Sequence, residues 1–239
     1  MIKQKKLIYS LEWDYIIILD ACRVDSFTDL YPRFLDGELW IVETEGPCTI
    51  EWARRTFTKP LNVVYYSANP YVNSKVKLKG WLARDYFKRV VDLWLTCWDT
   101  SLNTVPPWLV NERIRVDKPK SKTIIHYVQP HGPWIGETKL QLPALARKPE
   151  FQRSPGDIIA EMIERGELTE EKLRRAHWDN LKLVLKYVTE LTTVLEGRII
   201  VTSDHSECLG EKYNSRRIYI HPCIMDFKFL RTVPWLIVH

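Results

Sequence analysis

Tyr15-Ile16-Ile17-Ile18-Leu19-Asp20 is a run of apolar residues that stops on a carboxylate. It lacks polar–apolar alternation and is rich in isoleucine, which predicts a strand buried on both faces. Such strands belong to parallel sheets covered by helices on either side. Leu39-Trp40-Ile41-Val42 and Asn62-Val63-Val64-Tyr65-Tyr66 read as the next two strands. Thr123-Ile124-Ile125-His126-Tyr127-Val128 reads as a fourth, Arg198-Ile199-Ile200-Val201-Thr202 as a fifth, and Pro234-Trp235-Leu236-Ile237-Val238 as a sixth. The expected fold is α/β: a doubly wound, mostly parallel sheet with helices on both faces.

Between these runs, two helices are expected. One starts at Thr169-Glu170-Glu171-Lys172 and runs to about Leu195, with Leu181, Val184, Leu185, Val188, Leu191 and Leu195 at helical spacing and Gly197 as its C-cap. The other spans Trp81 to about Leu95. Proline-rich stretches at 99–122 and 132–157 read as long loops over one end of the sheet. A single domain over 1–239 is expected, with lid-like insertions at about 69–122 and 132–175.

Composition narrows the function classes. The net charge of +5 comes from scattered Lys and Arg, with no block of like charges. That suits an anionic small-molecule, glycolipid or glycan substrate and gives no nucleic-acid footprint. The ten Trp residues read as packing over the sheet and cleft, in preference to base stacking. The five cysteines are odd in number and form no CxxC pair. Neither a disulfide framework nor a zinc knuckle is indicated, so a reducing cytoplasmic setting is expected, with peripheral membrane association left open. The N-terminus has no apolar leader, and no stretch of about 18 apolar residues would span a membrane. Oligomeric state is left open.

The polar residues fall in a telling place. Asp20 follows the first strand, Cys48-Thr49 the second, His131 the fourth and Asp204-His205 the fifth. In open α/β sheets the carboxyl ends of the strands share one edge, and ligands bind there. An adjacent Asp-His pair can offer one cation a carboxylate oxygen and an imidazole nitrogen, and Asp20 adds a second oxygen. This mixed set favours Zn²⁺, Mn²⁺ or Fe, with Mg²⁺ and Ca²⁺ left open. A divalent cation beside Thr49 would lower the hydroxyl pKa and make it a nucleophile. Taken singly, each residue has a plainer reading: Asp20 and Thr49 as helix caps, His131 as a loop residue, Asp204 and His205 as turn residues. Their common edge favours the joint reading.

The same residues resemble a known family. Ile18-Leu19-Asp20-Ala21-Cys22-Arg23-Val24-Asp25, Gly46-Pro47-Cys48-Thr49-Ile50-Glu51-Trp52 and His126-Tyr127-Val128-Gln129-Pro130-His131-Gly132-Pro133 are similar, in order, to segments of the sulfatase-like proteins of the alkaline phosphatase superfamily. Thr202-Ser203-Asp204-His205-Ser206-Glu207 and His221-Pro222, followed by Arg231-Thr232-Val233-Pro234-Trp235, continue the match, with archaeal sulfatase-like proteins as the expected nearest relatives. The resemblance implies Asp20, Asp204, His205 and Thr49 as ligands of one divalent metal ion, and Thr49 as nucleophile. It implies His131 and His221 as substrate ligands. Arg23 would either hold an anion oxygen or pair with Asp25.

The departures refine this expectation. Sulfatases carry Cys-x-Pro/Ala-x-Arg, and here Cys48 is followed by Thr49, Ile50, Glu51 and Trp52, which argues against sulfate-ester hydrolysis. Two-metal relatives place an Asp four residues before the histidine, where this chain has Tyr127, so one metal is expected. Ser206 stands where the family has Gly and is expected to crowd that turn. Relatives with one metal and a Thr nucleophile include phosphoethanolamine and phosphoglycerol transferases, which are membrane-anchored.

The expected activity is a metal-dependent hydrolase or transferase of phosphate esters acting through a phospho-Thr49 intermediate. His221 or His126 would protonate the leaving group, although His126, inside a strand, reads first as a buried structural residue. His177 reads as a surface or packing residue of the long helix, and Cys48 is a rival nucleophile. The alternatives are an inactive sulfatase-like domain that binds an anionic sugar, lipid head group or protein, and a sulfate-ester hydrolase.

Overall fold

The structure is a computed structural model that describes residues 1–120, 122–140, 142 and 154–239; part of the 132–175 insertion therefore lies outside the described residues. In chain order the strands are β1 (Ile2–Lys3), β2 (Tyr15–Asp20), β3 (Gly37–Glu43), β4 (Leu61–Ser67), β5 (Phe87–Asp92), β6 (Thr123–Pro130), β7 (Ile199–Thr202), β8 (Cys208–Tyr213), β9 (Arg216–Ile220) and β10 (Thr232–Val238). The helices are α1 (Gln4–Ser10), α2 (Val24–Leu30), α3 (Thr49–Thr56), α4 (Leu93–Thr96), α5 (Pro107–Asp117), α6 (Pro155–Glu164) and α7 (Glu170–Thr192).

Eight strands form one sheet in the order β1-β3-β10-β7-β2-β6-β4-β5, with β8 and β9 as a separate antiparallel pair. β10 runs antiparallel to both neighbours, and the other pairings of the large sheet are parallel. The continuous apolar run of β2 has a direct cause. Ile17 and Leu19 pack into one core with Leu181, Val184 and Leu185 of α7 and Val110 and Ile114 of α5. Ile16 and Ile18 pack into the opposite core with Leu7 of α1, Trp52 and Ala53 of α3, and Trp235 of β10. Helices therefore cover both faces. Burying each such Ile or Leu contributes roughly 1.5–3 kcal/mol, so β2 is the anchor of the sheet. A third, smaller cluster joins Ile159 of α6 and Leu173 and Ala176 of α7 to Leu209 and Tyr219 of the hairpin.

Three expectations change. The helix expected from Trp81 to about Leu95 is instead a 3₁₀ turn at Ala83–Asp85, the edge strand β5 and the short α4. The free edge of β4 recruits Phe87–Asp92 as a parallel neighbour, and the β-branched Val90 and Val91 suit that position. The 99–122 stretch contains α5, because its proline pair stands at the start of a helix, where the absent N–H costs nothing. The long helix is capped by the Thr169 side chain as its sequence suggests, but it ends at Thr192, with Thr193 as C-cap. Gly197 lies beyond it, at φ +117°, where a Cβ would stand 2.3 Å from Asp14 Oδ2. Its role is that tight turn into β7.

Candidate active site and metal centre

Five parallel strands deliver polar residues to one edge. β2 ends on Asp20, β3 leads to Thr49, β4 to Asn69, β6 to His131, and β7 to Asp204-His205. The pairing of β2 with β6 shifts register between Leu19 and Asp20, and Ala21 turns out of the strand at φ +59°. That turn is held on two sides. The Ala21 N–H donates to Asp204 Oδ1 at 3.2 Å, and His177 Nε2 donates to the Ala21 carbonyl at 3.1 Å. Thr49 is the first residue of α3. The loop before it passes close to the helix: a Cβ on Gly46 would lie 2.3 Å from the Trp52 nitrogen, so only glycine fits there.

Residues far apart in the chain converge. Thr49 Oγ1 donates to Asp204 Oδ2 at 2.8 Å and lies 3.3 Å from His205 Nε2. His205 Nε2 is 3.4 Å from Asp20 Oδ1 and 3.3 Å from Asp204 Oδ2. All four residues are buried. His205 Nδ1 must donate to the Ser206 carbonyl, 2.9 Å away, so Nε2 is the nitrogen turned toward the carboxylates. Ser206 fits without crowding, since its backbone is not left-handed and its N–H donates to the Leu230 carbonyl at 2.7 Å.

The charges fit a cation. Asp20 Oδ1 is buried and has no hydrogen-bond partner. Burial alone would raise the Asp20 pKa, yet the His131, His205 and His126 side chains hold it well below the usual carboxylate range. Burial alone would lower the His205 pKa, and the charges of Asp204 and Asp20 lift it to about 9. Two carboxylates and an imidazole in a dry pocket draw a proton when no cation shares it. The orphaned oxygen and the inward Nε2, its far nitrogen fixed by a carbonyl, are donors that could hold a divalent ion.

The remaining candidates fall on either side of this cluster. His131 and His221 line a cleft of about 160 Å³ together with Asp20, Thr49 and Asn69. His131 Nδ1 donates to the Gly132 carbonyl at 2.6 Å, and its Nε2 has no partner among the described residues. His221 Nδ1 is 3.0 Å from Glu207 Oε1, and its ring centre is 4.9 Å from that of His131. Arg23 is elsewhere. Its buried guanidinium pairs with Asp25 and Glu211 and donates to the Glu207 carbonyl, so of its two expected roles the structure shows the ion pair.

Two neighbours, Asn69 and Glu207, carry no signal of their own in the sequence, and a third, His126, reads there as a structural residue or a proton donor. Asn69 Nδ2 donates to Asp20 Oδ2 at 2.6 Å and to Thr49 Oγ1 at 3.3 Å. It lies just past β4, on the same edge. His126, expected to be structural, is buried against Trp52 and Tyr65, yet its unpartnered Nε2 stands 3.8 Å from Asp204 Oδ2. Glu207 is buried behind His221.

The cysteines also need correction. Cys48 and Cys223 are joined in a disulfide, although no such bond was expected. Their separation of 175 residues hides the pairing in the sequence, and the fold brings their Cα atoms to 5.3 Å. With its sulfur committed to that bond, Cys48 is not the nucleophile. Cys22, Cys97 and Cys208 are free. Among the described residues no helix is long and apolar enough to cross a membrane.

No protein-family model matches the sequence, and no curated protein matches it either. Solved structures do. The chain is similar to the integral membrane lipooligosaccharide phosphoethanolamine transferase A (EptA) of Neisseria meningitidis, at 14% identity and a TM-score of 0.51, over 93% of this chain and 47% of that one. It thus spans about half of that protein. The C-terminal periplasmic domain of EcEptC from Escherichia coli, in complex with Zn, matches at 13% identity and a TM-score of 0.53, over 94% of this chain and 71% of that one. The phosphonate monoester hydrolase of Agrobacterium radiobacter matches at 12% identity and a TM-score of 0.51, over 93% of this chain and 67% of that one. The mostly parallel eight-stranded sheet with helices on both faces is thus a fold that the chain shares with these phosphoethanolamine transferase and phosphonate monoester hydrolase structures.

Proposed function

We propose that this protein is a metal-dependent transferase or hydrolase of phosphate esters in which Thr49 is the nucleophile. The observation that carries this reading is the contact of Thr49 Oγ1 with Asp204 and His205 beside the orphaned Asp20 oxygen. Asp20, Asp204, His205 and Thr49 would hold one divalent ion. Zn²⁺ fits the mixed oxygen and nitrogen donors, and one structural neighbour is described as a Zn complex. When bound, the ion supplies Lewis acidity that lowers the pKa of the Thr49 hydroxyl and draws charge from the ester's nonbridging oxygens.

The residues of the chain do the rest. Asp204 accepts the Thr49 proton in its 2.8 Å hydrogen bond and orients the oxygen. Thr49 Oγ1 forms a bond to phosphorus, the leaving-group oxygen departs with the other electron pair, and phospho-Thr49 remains. Water or an acceptor alcohol then attacks the same phosphorus and frees Thr49. The Nε2 of His131 faces the developing charge. His221, oriented by Glu207, is placed to protonate the leaving oxygen. The neighbours named as phosphoethanolamine transferases and a phosphonate monoester hydrolase support phosphoester chemistry. The disulfide supports an oxidising compartment over the reducing cytoplasm.

The test pairs metal analysis with a panel of phosphodiesters, phosphomonoesters and sulfate esters, run on wild type and Thr49→Ala. A stoichiometric cation and phosphoester turnover that Thr49→Ala abolishes are expected. Full turnover by Thr49→Ala would remove the nucleophile. Absence of a stoichiometric cation would favour a binding domain.

A further inference from the structure

The Cys48–Cys223 bond ties the loop that follows β3 to the loop that precedes β10, beyond the Glu43–Thr232 pair where the two strands part. Cys48 is the residue before Thr49 and the N-cap of α3. Cys223 follows two residues after His221, on the chain that leaves the separate β8–β9 hairpin. Among the described residues His221 has one polar side-chain tie, to Glu207 just before β8, and its ring lies against those of His205 and His131. Immediately before it, Ile220 sits at φ +57°. A β-branched residue in the left-handed region persists only where its surroundings over-determine it. The hairpin holds Ile220 on one side, and the disulfide fixes the chain on the other. Cys223 is partly exposed and lines a cleft with His131, Glu207 and His221.

We infer that the Cys48–Cys223 disulfide is a positioning latch: it holds His221 in register with Thr49, so the reaction proposed above depends on the oxidation state of this bond. The inference rests on that reading of the site. Among the described residues the cleft at Cys223 offers a reductant the approach to the bond. A water-soluble phosphine attacks the Cys223 sulfur, and Cys48 leaves as a thiolate that takes up a proton. Water then displaces the phosphine as its oxide, and Cys223 ends as a thiol. The phosphine is oxidised by two electrons and the disulfide is reduced by two. Asp20 is carried by β2, Asp204 and His205 by the turn after β7, and Thr49 by α3, which Trp52 docks on the sheet through the core and its bond to Gln4, so the proposed ligands keep their places without the latch.

The experiment uses the zinc-loaded full chain, oxidised and phosphine-reduced, with whichever phosphoester supports turnover. Zinc affinity is measured by titration and amide exchange is followed over 217–225. Reduction is expected to lower kcat roughly tenfold or more while KM moves less than about twofold, since misplacing a group by an ångström costs that much or more. Zinc affinity stays unchanged, exchange at 220–224 quickens, and glutathione disulfide restores kcat. Cys223→Ser should match the reduced enzyme and ignore the phosphine; if that variant does not fold, the reversible wild-type cycle decides. Full kcat after reduction, or joint loss of kcat and zinc affinity, would overturn the latch. If the oxidised, zinc-loaded chain turns over no phosphoester, the proposed reaction fails. Exchange and zinc affinity then decide the latch by themselves.

Discussion

The Thr49 hydroxyl donates a 2.8 Å hydrogen bond to Asp204 Oδ2, across 155 residues of chain, at the buried floor of the cleft that Thr49 lines. A threonine serving only to cap its helix would turn that oxygen toward the backbone N–H groups of α3, and no such bond forms. Thr49→Ser keeps the hydroxyl and is expected to retain turnover within about tenfold, whereas Thr49→Ala loses about 10³-fold or more. Steady-state kinetics on one phosphodiester separates the two, and equal loss in both variants would count against the assignment.

Asp20 has one oxygen held by Asn69 and the other unpartnered. Asp20→Asn replaces a ligand oxygen and removes a charge, so zinc affinity should fall by roughly a hundredfold or more. Isothermal titration with zinc checks this, and unchanged affinity would place the cation elsewhere.

Asn69 orients both Asp20 and Thr49 without being able to ligate through its amide nitrogen. Asn69→Ala is expected to lower zinc affinity or kcat by roughly 10–100-fold, the usual effect of losing a residue that orients a ligand. Asn69→Asp should not restore it, because the donor is what Asp20 needs.

His177, behind the Ala21 turn and outside the lining of the cleft, gives a pH prediction. Burial holds its pKa down to about 4, against 6.5 for the free imidazole. Between these values the unfolded chain binds the proton and the folded chain does not, so stability falls as pH drops from 6.5 to 4 and is unaffected above. His177→Gln keeps a donor for the Ala21 carbonyl and removes the titration. Thermal melts at pH 7.5 and pH 5 should show a smaller acid loss for His177→Gln than for wild type.

Arg23 sits in a buried clamp with Asp25, Glu211 and the Glu207 carbonyl. Arg23→Gln is expected to cost about 2 kcal/mol of stability while KM for the anionic substrate stays within about twofold. A large rise in KM with no change in stability would return Arg23 to the substrate site.

Much of this architecture was legible in the sequence because its signals are local. The Tyr15–Leu19 run has apolar side chains on successive positions because both faces of β2 are covered. Asp20, Asp204 and His205 stood out because each directly follows such a run. Asn69 obeys the same rule, but it follows the polar Ser67, then Ala68, and not an apolar run, so nothing in the sequence marks it. β5 reads as helix because it is an edge strand, half exposed, with no clean alternation. The disulfide and the two-sided contact of His126 join residues distant in the chain, and no spacing encodes them.

The antiparallel β10 lies between β3 and β7, pairing seven residues with the first and three with the second. Within the sheet, the strand that leads to Thr49 therefore joins those that lead to Asp20 and Asp204 through a strand that the ribosome makes some 180 residues after Thr49. A nascent chain that has emerged only as far as His205 holds every proposed ligand yet lacks the plank that sets them side by side. Such a chain has no assembled catalyst, and synthesis itself delays the chemistry until Thr232–Val238 has docked.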